Sequence, residues 1–228
     1  MDNSKIGHHI SEQFNKELED IRNKVLTMGG LVERQIEHAV EAYTTGNMEL
    51  AEQVIKQDNQ VDAMEMAIDL ECTQIMALRQ PTAFDLRLLI TVLRVIHEIE
   101  RVGDKAERIA EMAIQLAGGD SRFPHYELEH MAVQVKKMLH DALDVFARIN
   151  IEKMSAVFEQ EDKVDREYDN ILRQLITRTL DVLWTVRALE RIGDHACYIC
   201  EHLIFMIKGE DVRHLSQPKL VKKVNAPR

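Results

Sequence analysis

The strongest constraint on the fold is that the chain repeats itself. Residues 100–106 read ERVGDKA and residues 190–196 read ERIGDHA, so five of the seven positions are identical at an offset of 90. Residues 58–62 (DNQVD) resemble residues 161–165 (EDKVD) at an offset of 103. We therefore expect two copies of one structural unit, each burying an apolar seam internally and partly against the other copy.

Between a few turn signals, the apolar residues recur with the spacing of a helix. The turn signals are Gly46-Asn47, Gln80-Pro81, Gly118-Gly119 with Pro124, and Asn150. Steps of three and four residues between apolar positions place one apolar stripe on each helix, as in helical bundles. We predict an all-α fold of two similar three-helix bundles, residues 8–119 and 120–209, followed by a basic tail at 210–228. The helices are expected at 10–45, 48–79, 84–117, 125–149, 151–177 and 179–208.

Composition agrees with this fold class and excludes several others. Hydrophobic residues make up 45% of the 228 residues, while 9 Gly and 4 Pro are too few for the turns of an all-β fold. A disordered chain would carry fewer large apolar residues. The net charge of −10 argues against nucleic acid as a partner.

Other features bear on the cellular compartment. Three cysteines cannot form a disulfide framework, and the N-terminus lacks the basic and apolar regions of a signal peptide. No stretch approaches the roughly 18 apolar residues of a membrane span. We expect a cytoplasmic protein that meets a membrane only through a partner. The basic end is expected to be a solvated, partly disordered tail, or else a segment that contacts an acidic partner or the inner membrane face.

The two repeat offsets differ by 13 residues, and the difference falls between the last two predicted helices. Residues 175–183 contain no Gly, Pro or other turn signal. Taken literally, residues 151–207 could form one helix of about 85 Å, which would destroy the hairpin. We expect instead that a hairpin tip of about 13 residues is absent from this sequence near 177–179.

Acidic residues form stripes on four of the predicted helices. The stripes are Asp58, Asp62, Glu65 and Asp69; Glu100, Asp104, Glu107 and Glu111; Glu161, Asp165 and Asp169; and Glu190 and Asp194 with Cys197 and Glu201. Like charges four residues apart destabilise a helix by about 0.2–0.5 kcal/mol per pair, so their repetition suggests a compensating cation. Carboxylates favour Mg²⁺, Mn²⁺, Ca²⁺ or iron over a closed zinc site, and two antiparallel helices would have to share the ion.

Several of these features also have a purely structural interpretation. Arg101 and Arg108 could pair with Asp104, Arg187 with Glu190, and Arg191 with Asp194, leaving only solvated salt bridges. Gly103 and Gly193 suggest close approach between helices, since glycine otherwise weakens a helix interior. The Cys197–Cys200 pair lies deep within a helix and is interpreted as core.

Five segments together resemble the PhoU family. They are residues 28–33 (MGGLVE), 79–81 (RQP) with 85–88 (DLRL), 100–104 (ERVGD), 187–195 (RALERIGDH) and 208–214 (KGEDVRH). The resemblance spans nearly the whole chain and implies a fold of two three-helix bundles. It also implies a cytoplasmic adaptor without enzyme activity, expected to be a homodimer. Such adaptors link the high-affinity phosphate ABC transporter, through its ATPase subunit, to a membrane sensor histidine kinase, and they keep phosphate-starvation genes off when phosphate is plentiful.

The resemblance also implies metal sites built from E/DxxxD motifs, one set in each bundle. The motifs map onto Asp58 with Asp62, Glu100 with Asp104, Glu161 with Asp165, and Glu190 with Asp194. Asp69 and Glu107 are further candidates in the first copy, and their counterparts are Leu172 and Cys197, so the second site is expected to be poorer or different. The ion, a divalent or trivalent metal such as Mg, Mn, Fe or Zn, is not identified by the resemblance.

Two other functions compete with the adaptor. A metalloenzyme of ferritin-like type would use two ExxH motifs on separate helices, and only Glu127-x-x-His130 is found, with no second motif in a matching position. A metal-free helical scaffold, in which the acids are only a solvated surface, is the third hypothesis.

Overall fold

The computed structural model describes residues 12–116, 125–151, 154–175, 180–213 and 215–225. Its helices are α1 (Glu12–Thr45), α2 (Met48–Arg79), α3 (Ala83–Leu116), α4 (His125–Arg148), α5 (Met154–Leu175), α6 (Leu180–Lys208) and α7 (Gln217–Asn225). The predicted all-α fold of two three-helix bundles, α1–α3 and α4–α6, is confirmed. The first six helices lie within a few residues of their expected bounds, and α7 was not predicted.

The sequence breaks in the first bundle act as helix caps. Gly46 ends α1 with a φ of +69°, a conformation that glycine adopts without steric cost. The Asn47 side chain then accepts a hydrogen bond of 3.1 Å from the backbone N–H of Leu50 and caps α2. At the other end, Gln80 is left-handed and its N–H donates to the carbonyl of Met76, so α2 stops before Pro81.

The two bundles meet mainly through α3 and α6, which run antiparallel. Arg87 Nε donates to the carbonyl of Met206 at 3.2 Å. Arg94, which lies seven residues later on α3, has its guanidinium carbon 5.0 Å from the centre of the Phe205 ring. At the second helix pair, α1 against α4, a Cβ added to Gly29 would lie 2.5 Å from Leu143 Cδ1. An alanine at Gly29 would force the Leu143 side chain to move, and the expectation that the copies bury surface against each other is met.

One buried ionic cluster lies within the α3–α6 contact. Glu98 Oε2 accepts a hydrogen bond of 2.6 Å from His195 Nδ1, and its other oxygen lies 3.6 Å from His202 Nε2. Burial alone would raise the pKa of Glu98, but the hydrogen bonds from His195 and His202 outweigh it and lower that pKa to about 2. The carboxylate is therefore charged and links the two bundles.

Helices α5 and α6 form an antiparallel hairpin. Cys197 contacts Glu161 at 3.3 Å, and Arg187 contacts Tyr168 at 3.4 Å. Later residues of α5 therefore contact earlier residues of α6, as in two antiparallel helices. A single helix through 151–207 is therefore not formed. Residues 176–179 lie outside the described residues, and the absence of a hairpin tip there stays a prediction.

The expectation of a solvated, partly disordered tail is wrong for α7. Leu220 and Val224, four residues apart, are buried, and α7 packs on α5. Val212 is also buried and fixes the segment that leads to α7. This segment has few apolar residues and several lysines, so its sequence did not indicate an amphipathic helix that packs on the bundle. No described helix has a stretch long and apolar enough to cross a bilayer.

Candidate metal centre

Two groups of potential metal ligands lie between α2 and α3. Asp58, Asp104 and Glu107 form the first, which we name the oxygen group; in it, one oxygen from each residue lies within 4.8 Å of the others. Glu65, His97 and Glu100 form the second by the same measure, and we name it the histidine group. Because α2 and α3 are antiparallel, Asp58 faces the C-terminal part of the α3 stripe and Glu65 faces its N-terminal part.

The oxygen group has a buried inner wall. Asp58 is only 6% exposed, and its Oδ1 accepts a hydrogen bond of 3.3 Å from Nε2 of the fully buried Gln35. A Cβ on Gly103 would lie 2.8 Å from the same Oδ1, so a side chain, not the backbone of another helix, crowds Gly103. Gln35 Oε1 is buried without a hydrogen-bond partner among the described residues. An oxygen in that position suits an additional ligand or a water bound to a cation.

The histidine group lies nearer the surface. His97 Nδ1 is 3.2 Å from Glu65 Oε1 and 3.8 Å from Glu100 Oε2. Arg101 Nε donates to His97 Nε2 at 3.0 Å, so Nδ1 is the nitrogen that faces the two carboxylates. Glu100 Oε2 is buried and makes no hydrogen bond within the described part of the chain. A cation bound here would replace the Nδ1 proton and satisfy that oxygen.

The arginines of the first bundle do not make the salt bridges predicted for them. Arg101 donates to His97, and Arg108 Nη1 donates to Glu111 Oε2 at 2.5 Å, so neither is directed at Asp104. The purely structural interpretation of the α3 stripe is therefore wrong in its specific pairings.

The electrostatics of the α2–α3 groove favour a bound cation. Burial raises the pKa of Asp58 to about 6. The hydrogen bond from Gln35 opposes this shift, and the nearby charges of Asp62 and Asp104 add to it. Burial, together with Asp104 and Glu65, raises the pKa of Glu100 to about 7. These carboxyls are hard to ionise because they are desolvated and crowded, and a cation between them would relieve both effects.

Two of the residues predicted in the first bundle lie outside both groups. Asp62 is exposed and near enough to raise the pKa values of Asp58 and Glu100, so it borders the groove. Asp69 is exposed and lies 11 residues beyond Asp58, about 16 Å along the helix. The structure thus brings Asp58, Glu100, Asp104 and Glu107 into the groove and leaves Asp69 apart from it.

Sequence reasoning did not select three residues of this groove. Glu65 was part of the α2 stripe but was not chosen, and His97 lies one turn before Glu100, where its spacing could have identified it. Gln35 lies on an apolar seam, three residues after Val32 and four before Ala39, so a polar side chain there was the available signal.

The second bundle also brings its four predicted acids together. Burial raises the pKa of Glu161 to about 7. The hydrogen bond from Cys197 lowers this pKa, whereas the charges of Asp194 and Asp165 raise it further. Burial is also the main cause that raises the pKa values of Asp165 and Glu190, and the negative charge of Asp194 is the second. Among the described residues, however, no three ligand atoms of this bundle lie within 4.8 Å of one another.

Two of the second-bundle acids already have partners. Cys197 Sγ donates to Glu161 Oε2 at 3.3 Å. Arg191 Nη1 donates to Asp194 Oδ2 at 2.8 Å, which is the predicted salt bridge. At Gly193 an added Cβ would be 3.6 Å from Met138 Cε, an ordinary contact, so the close approach predicted there is not found.

The remaining candidate motifs have structural roles. Cys72, Cys197 and Cys200 are free and buried, in agreement with the interpretation of the Cys197–Cys200 pair as core. His130 of the single ExxH motif lies 2.7 Å from Glu167 on α5, and no group of three metal ligands forms around it in the described ranges. Among the described residues, the surroundings of this motif give the ferritin-like hypothesis no metal site.

The chain resembles known proteins along nearly its whole length. A family model described as "PhoU domain" matches residues 25–113 and 128–203. The phosphate-specific transport system accessory protein PhoU homolog of Pseudomonas aeruginosa is 44% identical over 230 residues, covering 96% of this chain and 95% of that protein. The phosphate-specific transport system accessory protein PhoU of Escherichia coli is 42% identical over 232 residues, covering 97% of this chain and 96% of that protein.

The alignment with the Pseudomonas aeruginosa protein spans 230 positions although it covers 96% of a 228-residue chain, so about eleven positions have no counterpart here.

Solved structures show the same likeness. The crystal structure of PhoU from Pseudomonas aeruginosa matches with a TM-score of 0.83 at 44% identity, covering 87% of this chain and 100% of that chain. The phosphate transport system regulatory protein PhoU from Streptococcus pneumoniae matches with a TM-score of 0.82 at 27% identity, covering 88% and 99%. These named relatives are accessory or regulatory proteins, which fits the expectation that the chain is not an enzyme. The repeated ERVGD and ERIGD segments, the paired three-helix bundles and the matches across both halves place this chain in the PhoU family.

Proposed function

We propose that this protein regulates phosphate uptake and phosphate-dependent signalling. The observation that carries the proposal is 44% identity over nearly the full chain with a protein named for the phosphate-specific transport system. In the proposed role, the protein is a cytoplasmic adaptor, acting as a homodimer. It binds the ATPase subunit of the phosphate ABC transporter and the phosphate sensor histidine kinase, and it keeps phosphate-starvation genes off when phosphate is plentiful.

We further propose that a divalent or trivalent metal ion bound between α2 and α3 is part of this role. Asp58, Asp104 and Glu107 would hold it through hard oxygen ligands, and Glu65, His97 and Glu100 offer a neighbouring mixed site. The ion would neutralise mutually repelling carboxylates and fix one helix against the other. An adaptor shifts a partner only by binding one of its states more tightly, and a rigid α2–α3 surface is suited to that task.

The test replaces the chromosomal gene with a Glu100→Gln/Asp104→Asn variant. We expect phosphate-starvation promoters to become active in cells growing on ample phosphate, and capture of the kinase and the transporter ATPase on the tagged protein to fall to the level obtained with a chelator. A matched control is Glu49→Gln/Glu52→Gln, which removes the same charge from exposed positions of α2 and should behave as the parent. Complete loss of the gene without any change in promoter activity would contradict the regulatory role itself.

A further inference from the structure

Equivalent positions of the two repeats make the same contact in both bundles, which allows their ligand positions to be compared one by one. Val61 Cγ1 lies 3.5 Å from the Cβ position of Gly103, and Val164 Cγ1 lies 3.6 Å from that of Gly193. Val61 and Val164 are separated by the repeat offset of 103, and Gly103 and Gly193 by the offset of 90. The offsets found in the sequence therefore hold in space, and each ligand of the first bundle has a defined counterpart in the second.

The buried wall of the oxygen group is not preserved. Gln35, whose amide contacts Asp58, is replaced by Met138, which lies against Gly193 with its Cε at 3.6 Å and its Sδ at 3.7 Å. Glu107 is replaced by Cys197, which is buried and 3.3 Å from Glu161. Two oxygen donors of the first bundle are thus a thioether and a thiol in the second, and neither is a ligand that hard cations prefer.

The histidine group is changed more severely. Its Glu65 corresponds to Tyr168 and its His97 to Arg187, and the Arg187 guanidinium donates to the Tyr168 hydroxyl at 3.4 Å. A permanent positive charge therefore stands where the first bundle has a neutral nitrogen ligand. Arg187 also lowers the pKa values of Glu190 and Asp194, although burial still raises both.

A third difference concerns the arginine that follows the repeated Glu100 and Glu190. In the first bundle Arg101 turns away and donates to His97, which leaves Asp104 facing Asp58 and Glu107. In the second bundle the equivalent Arg191 donates to Asp194 at 2.8 Å. A cation would have to displace this arginine to reach the carboxylate.

We infer that the protein loads hard divalent cations in the first bundle only, and that in the second bundle arginines and a thiol contact the acids instead. This inference rests on the proposed metal binding. The family pattern of one E/DxxxD set per bundle is retained in the sequence of the second bundle, but its surroundings do not fit a metal.

The test measures Mn²⁺ binding to the full chain by calorimetry and electron paramagnetic resonance. Glu100→Gln/Asp104→Asn should weaken binding about 10- to 100-fold or more, the loss typical for disturbed ligand spheres. Glu190→Gln/Asp194→Asn, the equivalent change in the second bundle, should leave affinity and stoichiometry at the parent level. Equal losses in both variants would overturn the inference while leaving metal binding intact, whereas a parent that binds no Mn²⁺ would overturn both.

Exchanging the residues of the two bundles gives a second measurement that does not depend on removing acids. Glu65→Tyr/His97→Arg should abolish the Mn²⁺ signal of the histidine group, and Tyr168→Glu/Arg187→His should create a new one in the second bundle. His97 and Arg187 are exposed, whereas Tyr168 packs against the core, so circular dichroism must show that each exchange keeps the helix content of the parent. An unchanged Mn²⁺ stoichiometry in both exchanges, with helix content intact, would contradict the inference.

Discussion

Asp58 Oδ1 lies 2.8 Å from the position that a Cβ atom on Gly103 would occupy. Two residues on different helices are thereby interdependent, because the buried carboxylate of α2 reaches into space that only a glycine of α3 leaves free. The second bundle provides a natural control, since Gly193 has 3.6 Å of clearance to its nearest neighbours.

The first prediction compares these two glycines. Replacing a helix glycine with alanine usually stabilises a helix by about 1 kcal/mol, and Gly193→Ala should show a gain of that order. Gly103→Ala should instead lower the free energy of unfolding, because Asp58 is buried and must move. Urea unfolding of both variants measures the difference, and equal effects at the two positions would show that Asp58 is not held as described.

The second prediction concerns the contact between the bundles. Glu98→Ala removes hydrogen bonds between a charged carboxylate and His195, so it should cost about 2–3 kcal/mol of stability. The pKa of Glu98 is lowered to about 2, so this contribution is present above pH 4.5 and is lost as the pH falls toward 2.

Glu37→Gln breaks the exposed pair with Lys136 between α1 and α4 and should cost only about 0–1 kcal/mol. Similar losses in thermal unfolding for the two variants would contradict the assignment of the buried cluster as the main ionic link.

The third prediction is that the metal-free protein becomes more stable as the pH falls from 8 to 5.5. Burial is the largest cause that raises the pKa of Glu100, Glu161 and Glu201, each to about 7 from a usual value of 4.5. In that pH window the folded chain takes up protons that the unfolded chain does not, so the free energy of unfolding rises as the pH falls.

Urea unfolding in the presence of a chelator at the two pH values measures this effect. The variant Glu100→Gln/Glu201→Gln should show a smaller change than the parent, since two of the titrating groups are removed. A parent whose free energy of unfolding stays constant or decreases from pH 8 to pH 5.5 would contradict this electrostatic account. A variant that shows the same change as the parent would contradict it as well.

The fourth prediction concerns α7. Leu220→Ser/Val224→Ser should detach this helix from α5, because both side chains are buried there. Trypsin should then cleave at Lys219 and Lys222 well before the rest of the chain is digested. The exposed change Lys163→Gln on α5 should leave α7 protected, and early cleavage of the parent itself would contradict the packing of α7.

The sequence predicted those features that depend on spacing along one helix. Steps of three and four residues located α1 to α6, the repeated ERVGD and ERIGD segments indicated two bundles, and the acidic stripes identified the faces of α2 and α3 that meet. Periodicity cannot show which direction a long side chain takes, so the turn of Arg101 to His97, away from Asp104, was not predictable.

Features that depend on a second helix were also missed. Gln35 becomes part of the groove only because α1 packs behind Asp58, and α7 is stable only because α5 covers Leu220. Gly103 and Gly193 lie in similar sequence contexts, yet one adjoins a carboxylate and the other a methionine. Such differences arise from tertiary contacts, which local patterns do not contain.

The most direct test of the central claim is anomalous diffraction from crystals of the full chain grown with Mn²⁺. The account predicts anomalous peaks between α2 and α3, bounded by Asp58, Asp104 and Glu107 and by Glu65, His97 and Glu100, with none between α5 and α6. An α2–α3 groove without a peak, in which these acids point into solvent or pair with arginines, would contradict it.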